Sequence, residues 1–147
     1  MHAAILHSHN LVRWIVLALG VLAVLRAFQG LSGDRPYAAT RKFTAMFMGA
    51  LHLQLLLGLL LFLFSPTVKA AMRDMAAVMA DAATRKVVIE HPTVMVIAAI
   101  LMTVGSLVAK NAATDAARHR LALIFSGITM ALVLWGIPWQ RALFPGM

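Results

Sequence analysis

The residues with the richest chemistry in this chain are its histidines. Six histidines stand among 147 residues that are 62% hydrophobic and include no cysteine. Without cysteine there is no thiolate for zinc, no ligand for an iron–sulfur cluster and no disulfide. Five of the histidines lie in or beside long apolar stretches: His7, His9, His52, His91 and His119. The candidate chemistry of this chain is therefore that of the histidine imidazole.

The surroundings of these histidines are apolar enough to be a membrane. Residues 43–64 carry no charge, and at ~1.5 Å per residue they are long enough to cross a hydrocarbon core of ~30 Å. His52 and Gln54 lie in the middle of this stretch. Ionisable side chains are rare inside membrane spans and are functional candidates there. A guest that accepts imidazole at such a depth is above all haem iron.

The best predicted pair of haem ligands joins the first and third apolar stretches. His7, His9 and His91 lie at the same membrane face if successive spans alternate in direction. Residues two apart on a helix point about 200° apart, so one of His7 and His9 faces inward. Ala98 leaves room for a flat ring on the side of His91, and Arg13 is placed to pair with a haem propionate. We predict haem b iron held by His7 or His9 with His91.

A second haem would use His52 and His119, near the opposite face. His52 is about sixteen residues into the second span and His119 about five into the fourth, a mismatch of ~16 Å along straight helices. Strong stagger or tilt would be needed to bring the two together. One haem or two is therefore left open.

The same histidines also have interpretations without haem. His52 with Gln54 would bridge helices by hydrogen bonds, and His119 would belong to a basic cluster at the membrane surface. His91 would form hydrogen bonds with neighbouring residues at a helix end. A further alternative is a copper or zinc site at the outer surface formed by His7, His9, Glu90 and His91.

The apolar stretches predict an all-α fold. We expect one membrane domain over residues 1–147, an antiparallel bundle of four transmembrane helices spanning about 8–29, 40–64, 90–109 and 117–138. The second span ends at Ser65-Pro66, and Thr114 is placed to cap the fourth. Pro92 lies in the first turn of the third span or kinks a helix that starts near Thr84. A short external amphipathic helix, either on the membrane surface or packed on the bundle, is predicted between the second and third spans from Met72, Met75, Ala76 and Met79.

The net charge of +8 is explained by topology rather than by nucleic-acid binding, since the basic residues flank the spans. The first and third loops hold Arg26, Arg35, Arg41, Lys42, Lys110, Arg118 and Arg120. The middle loop holds Lys69, Arg73, Arg85 and Lys86, and the terminal segments add Arg13 and Arg141. Basic loops remain on the cytoplasmic side, so both termini are predicted outside.

Four blocks of the sequence resemble a known family. LHSHNLVRW, HLQLLLGLLLFLFSP, EHPTVM and the closing RHRLALIF with IPW are similar, in the same order, to small bacterial four-helix membrane proteins described as cytochrome b-like. The resemblance covers nearly the whole chain. It implies a b-type haem bundle, and it nominates His7 or His9, His52, His91 and His119 as ligands. The expected location is the bacterial inner membrane, where the outside termini predicted from the loop charges would be periplasmic.

The predicted function is therefore electron transfer within a membrane. The expectation is one or two b haems that link the quinone pool to a redox partner, as a protein in the lipid bilayer or as part of a larger complex or homo-oligomer. The alternative is a haem-free accessory or structural subunit of a respiratory or photosynthetic complex. Neither function requires catalysis by the chain itself.

Overall fold

The computed structural model describes residues 2–32 and 35–139, and every regular element in these ranges is a helix. Four helices are long: α1 (His2–Gly30), α2 (Ala38–Phe64), α6 (His91–Asn111) and α7 (Asp115–Gly136). Between α2 and α6 lie α3 (Pro66–Ala71), α4 (Met75–Ala80), α5 (Ala82–Arg85) and one π-helical turn (Lys86–Glu90). The predicted helical fold class, with four long apolar helices, is confirmed.

Each long helix packs mainly against two others, and α2 and α7 also make a smaller contact. The main pairs are α1 with α2, α2 with α6, α6 with α7, and α7 with α1. Their shared core contains buried side chains from all four: Val16, Leu17, Ala23, Phe47, Leu51, Ala98, Met102, Met130 and Val133. Many large apolar side chains on the other faces are exposed, among them Leu11, Leu56, Ile100 and Ile128. A protein surrounded by water would seldom leave so much apolar surface uncovered.

Four helical segments are long and apolar enough to cross a membrane. They are His2–Gly30, Ala38–Phe64, Ala82–Asn111 and Asp115–Gly136. The third is longer than the predicted 90–109 because α5, the π turn and α6 run on without a break. Pro92 therefore lies inside a continuous helix. It has no N–H to donate to the carbonyl four residues back, and the π turn just before it widens the helix where an α-helix would be strained.

Two local signals in the sequence correctly marked helix ends. The helix α2 stops at Phe64, and the Ser65 side chain then accepts a hydrogen bond of 3.4 Å from the Val68 N–H while Pro66 occupies the first turn of α3. Thr114 caps α7 by accepting a hydrogen bond of 3.2 Å from the Ala117 N–H.

The segment predicted as one amphipathic helix between the second and third spans is divided in the structure: Met75, Ala76 and Met79 lie on α4, whereas Met72 follows the end of α3. The side chains of Met72, Met75 and Met79 are 60%, 42% and 53% exposed. The buried residues of this region are Val68, Ala71, Val78 and Val88, packed with Phe62 and Ile89.

Two aspartates explain this correction. Asp74 and Asp81 each accept a hydrogen bond from a backbone N–H three residues later, at 3.0 Å and 2.7 Å, and so begin α4 and α5. Hydrogen bonds from the Thr84 side chain and from its main-chain N–H also hold the pKa of the Asp81 carboxyl below its usual value. The caps divide the segment into short helices, and the methionine spacing no longer defines one buried face.

Candidate functional site

The structure brings His9 of α1 and His91 of α6 into contact. Their ring centroids are 6.2 Å apart and the ring planes are nearly perpendicular, at 83°. Two imidazoles that bind one metal ion from opposite sides have centroids about 6 Å apart, because each metal–nitrogen bond is about 2 Å long. The observed separation matches that of two ligands to one metal ion, and it is also that of two rings in direct T-shaped contact.

His91 is held in one tautomer by the end of α7. Its Nδ1–H donates a hydrogen bond of 3.0 Å to the main-chain carbonyl of Gly136, since a carbonyl oxygen only accepts. In the neutral ring, the lone pair is then on Nε2. Metal-binding histidines commonly have this arrangement, in which a backbone carbonyl orients the ring and raises the basicity of the other nitrogen.

His9 is positioned by α2. The Gln54 side-chain amide donates a hydrogen bond of 3.0 Å to the main-chain carbonyl of His9. A Cβ at Gly58, one turn further along α2, would lie 3.3 Å from His9 Cε1, so glycine allows the helix to approach the ring. The buried Nδ1 of His9 has no hydrogen-bond partner among residues 2–32 and 35–139. A buried polar atom without a hydrogen-bond partner costs free energy. His9 Nδ1 is therefore a candidate atom for contact with a bound group.

Arg13 lies one helical turn beyond His9 and is 7% exposed. Its guanidinium carbon is 5.9 Å from the centroid of the Trp14 ring. Its position on the same helix as His9 makes it a residue that could also contact a carboxylate of a bound group.

Two expectations about the surroundings of this pair are revised. His7 is exposed, so of the two N-terminal histidines it is His9 that meets His91. Ala98 is fully buried in the shared core of the four long helices, where close packing replaces the open slot that was expected beside it.

The alternative copper or zinc site is not supported. The described part of the chain contains no group of three or more histidine and acidic side chains placed to hold a metal ion. Glu90 is instead paired with Arg85 at 3.0 Å and with Lys86 at 3.5 Å. The Lys86 ammonium also donates to the Trp135 carbonyl and lies 4.4 Å from the centre of the Trp135 ring.

The structure does not bring His52 and His119 together. His52 is exposed, and its Nε2 lies 3.0 Å from Thr103 Oγ1, whose own proton is donated to the Ala99 carbonyl. His119 packs on Tyr37, which immediately precedes α2, with ring centroids 5.5 Å apart. His52 is fifteen residues further along, or ~22 Å at ~1.5 Å per residue. The predicted second pair of ligands is therefore absent.

The surroundings of His119 are compact and specific. The side chain is 2% exposed, and its Nε2–H donates a hydrogen bond of 2.9 Å to the Arg35 carbonyl. The neighbouring Tyr37 N–H donates to Asp115 Oδ2 at 3.1 Å, and burial raises the pKa of the Tyr37 phenol. These bonds fasten the segment before α2 to the first turns of α7.

The sequence analysis expected Gln54 to bridge helices by a hydrogen bond, and the structure shows such a bond from α2 to α1, but Gly58 and the Gly136 carbonyl were missed. Gln54 was visible as a polar residue deep in an apolar span, and Gly58 follows it by one helical turn on the same face. The Gly136 carbonyl gave no signal, because a main-chain acceptor is present at every position.

Comparison with known proteins yields no relative. No family model, no curated protein and no solved structure matches this chain.

Proposed function

We propose that the chain is a b-type haem electron-transfer protein of the bacterial inner membrane, with one haem held by His9 and His91. The observation that carries the proposal is the separation of these two rings, 6.2 Å, between two different apolar helices. The resemblance of the HLQLLLG and EHP blocks to cytochrome b-like proteins points the same way. In this proposal the haem links the quinone pool to a redox partner.

The roles of the protein's own groups follow from their positions. His9 and His91 would hold the iron, and the Gly136 carbonyl would keep His91 Nε2 available for it. Gln54 fixes α1 against α2 through the His9 carbonyl. Arg13, one turn away and buried, would balance a carboxylate of the bound group. Bound haem supplies one-electron chemistry, and these contacts set its orientation and potential.

We further propose an antiparallel four-helix bundle with both termini on the periplasmic side. The contact between Tyr37 and Asp115 joins the starts of α2 and α7. The bond from His91 to Gly136 joins the start of α6 to the end of α7. The first and third loops, which are the more basic, then share one end of the bundle, as the positive-inside rule requires of cytoplasmic loops.

A difference spectrum of the purified protein tests the function. Expressed with a supply of haem precursor and purified in mild detergent, the protein should show the reduced-minus-oxidised α band of a b-type haem. Haem content measured by extraction should be close to one per chain. A protein that is folded and free of haem under these conditions would overturn the proposal.

An observation on α2 favours a second candidate, the haem-free accessory subunit. Ala45 and Gly49 are both exposed and lie four residues apart, and a Cβ added at Gly49 would have no atom within 4 Å. Small residues at this spacing allow close approach of another helix inside a membrane. This face of α2 would then pack against a subunit of a larger complex or against a second copy.

Substitution of Gly49 by leucine tests this contact. Gly49→Leu should leave the chain folded, because nothing occupies the space, but should reduce association with its membrane partner by roughly tenfold or more, a loss of about 1.4 kcal/mol. Association would be measured by cross-linking in native membranes and by the size of the detergent-solubilised assembly. The matched control is Ala18→Leu, at an exposed alanine of α1 that has no small residue one turn later. Equal assembly of both variants would exclude this interface.

A further inference from the structure

A small cavity opens at the end of the helices opposite to the His9–His91 pair. Its volume is about 40 Å³, and its lining includes Arg26, Gln29, Gly30, Arg35, Thr40 and His119. One water-sized group needs about 10–15 Å³ on this measure, so there is room for about three. The cavity is therefore large enough for the oxygens of a single small polar group.

His119 forms the buried floor of this cavity. The side chain is 2% exposed, and its Nε2–H is occupied by the Arg35 carbonyl. Its Nδ1 is buried and has no hydrogen-bond partner in the described part of the chain. A Cβ at position 30 would overlap this nitrogen, so glycine is what allows α1 to approach it. A buried polar atom of this kind is expected to meet a ligand or a water molecule.

The mouth of the cavity is cationic. Arg26 and Arg35 are both exposed, and neither takes part in the ion pairs found among residues 2–32 and 35–139, which are Arg85–Glu90, Lys86–Glu90 and Arg118–Asp115. The Arg26 guanidinium carbon lies 5.2 Å from the centroid of the Phe43 ring, which limits where this charge can move. No carboxylate lines the cavity within the described ranges.

We propose that this cavity binds a phosphate group, either of a phospholipid headgroup or of free phosphate. Two guanidinium groups bind phosphate oxygens with paired, charge-assisted hydrogen bonds, and the Gln29 amide adds further donors. The buried His119 side chain would close the inner side of the site. The inference rests on the membrane placement proposed above, which puts Arg26 and Arg35 at headgroup depth. It does not depend on haem.

The test is native mass spectrometry of the full chain in neutral detergent. The protein is titrated in separate arms with phosphatidylglycerol, with phosphatidylcholine and with inorganic phosphate. The paired variant Arg26→Gln/Arg35→Gln should bind the phosphate compound at least roughly tenfold more weakly. The reason is that loss of one charge-assisted hydrogen bond reduces affinity by about tenfold or more. The control variant Arg120→Gln/Lys110→Gln also removes two positive charges, but from exposed positions that do not line the cavity.

The outcomes separate cleanly. Arginine-dependent binding of phospholipid without binding of inorganic phosphate identifies a headgroup site, and arginine-dependent binding of inorganic phosphate identifies a site for the free ion. Equal loss in both paired variants would reveal general surface electrostatics and overturn the proposal, as would no binding in any arm. The haem α band should be the same in both variants, so failure of this proposal is distinguishable from failure of the proposed function.

Discussion

Replacing His91 by glycine should abolish the b-type α band and leave less than about one tenth of the haem in the purified protein. In the proposed site His91 would supply one of the two nitrogens that hold the iron, and no other histidine of the described chain lies beside His9 to replace it. The measurement is the reduced-minus-oxidised spectrum together with haem content per chain. His9→Gly should have the same effect.

The controls separate ligation from folding. His7→Gly and His52→Gly remove exposed histidines from α1 and α2, and both variants should retain the full spectrum. Free imidazole added to His91→Gly should restore a six-coordinate spectrum, because the deleted side chain leaves a space of the right shape, whereas a merely structural role would not be rescued. A full α band in His91→Gly without added imidazole would show that the assigned pair is wrong.

The variant Gly105→Ala should lower the stability of the protein by about 2 kcal/mol. A Cβ at position 105 of α6 would overlap Phe125 Cβ and Cγ on α7, and atoms so near the backbone cannot rotate away. Overpacking of this kind costs about 1–3 kcal/mol or more, against a gain of up to about 1 kcal/mol from the better helix propensity of alanine. Thermal unfolding in detergent, followed by circular dichroism, should show a clearly lower midpoint.

The matched control for this prediction is Gly127→Ala. A Cβ at Gly127 has no atom within 4 Å, so the same substitution in α7 should leave the midpoint unchanged or slightly higher. If Gly105→Ala were as stable as Gly127→Ala, the close approach of α6 and α7 at Phe125 would be disproved.

The elements of this fold were predictable where the signal is local. Uninterrupted apolar stretches identified the four long helices, and the Ser65-Pro66 pair and the Thr114 cap marked helix ends because their side chains act on backbone groups within three residues. The caps at Asp74 and Asp81 were equally local. They divide the segment that the methionine spacing predicted as one helix, so that only Met75, Ala76 and Met79 remain together, on α4.

The candidate site was predictable only in outline. Alternation of spans placed His9 and His91 at one end, but the choice between His7 and His9 depends on the rotation of α1 about its axis, which the sequence leaves open. Gly105 and Gly127 likewise look alike in the sequence, and only the packing of α6 on α7 makes one of them indispensable. The cavity at His119 needed tertiary contacts from the ends of α1, α2 and α7 together.

The π turn at Lys86–Glu90 changes the direction in which His91 points relative to Lys86, compared with a regular α-helix. At the first residue of the turn, Lys86 reaches the Trp135 carbonyl and ring at the end of α7. After it, His91 must point between α1 and α7 to meet His9 and Gly136. One additional residue in a helical turn rotates everything beyond it by about 100°. The π turn thus sets the angle at which α6 presents His91 relative to the external segment that Lys86 holds against α7.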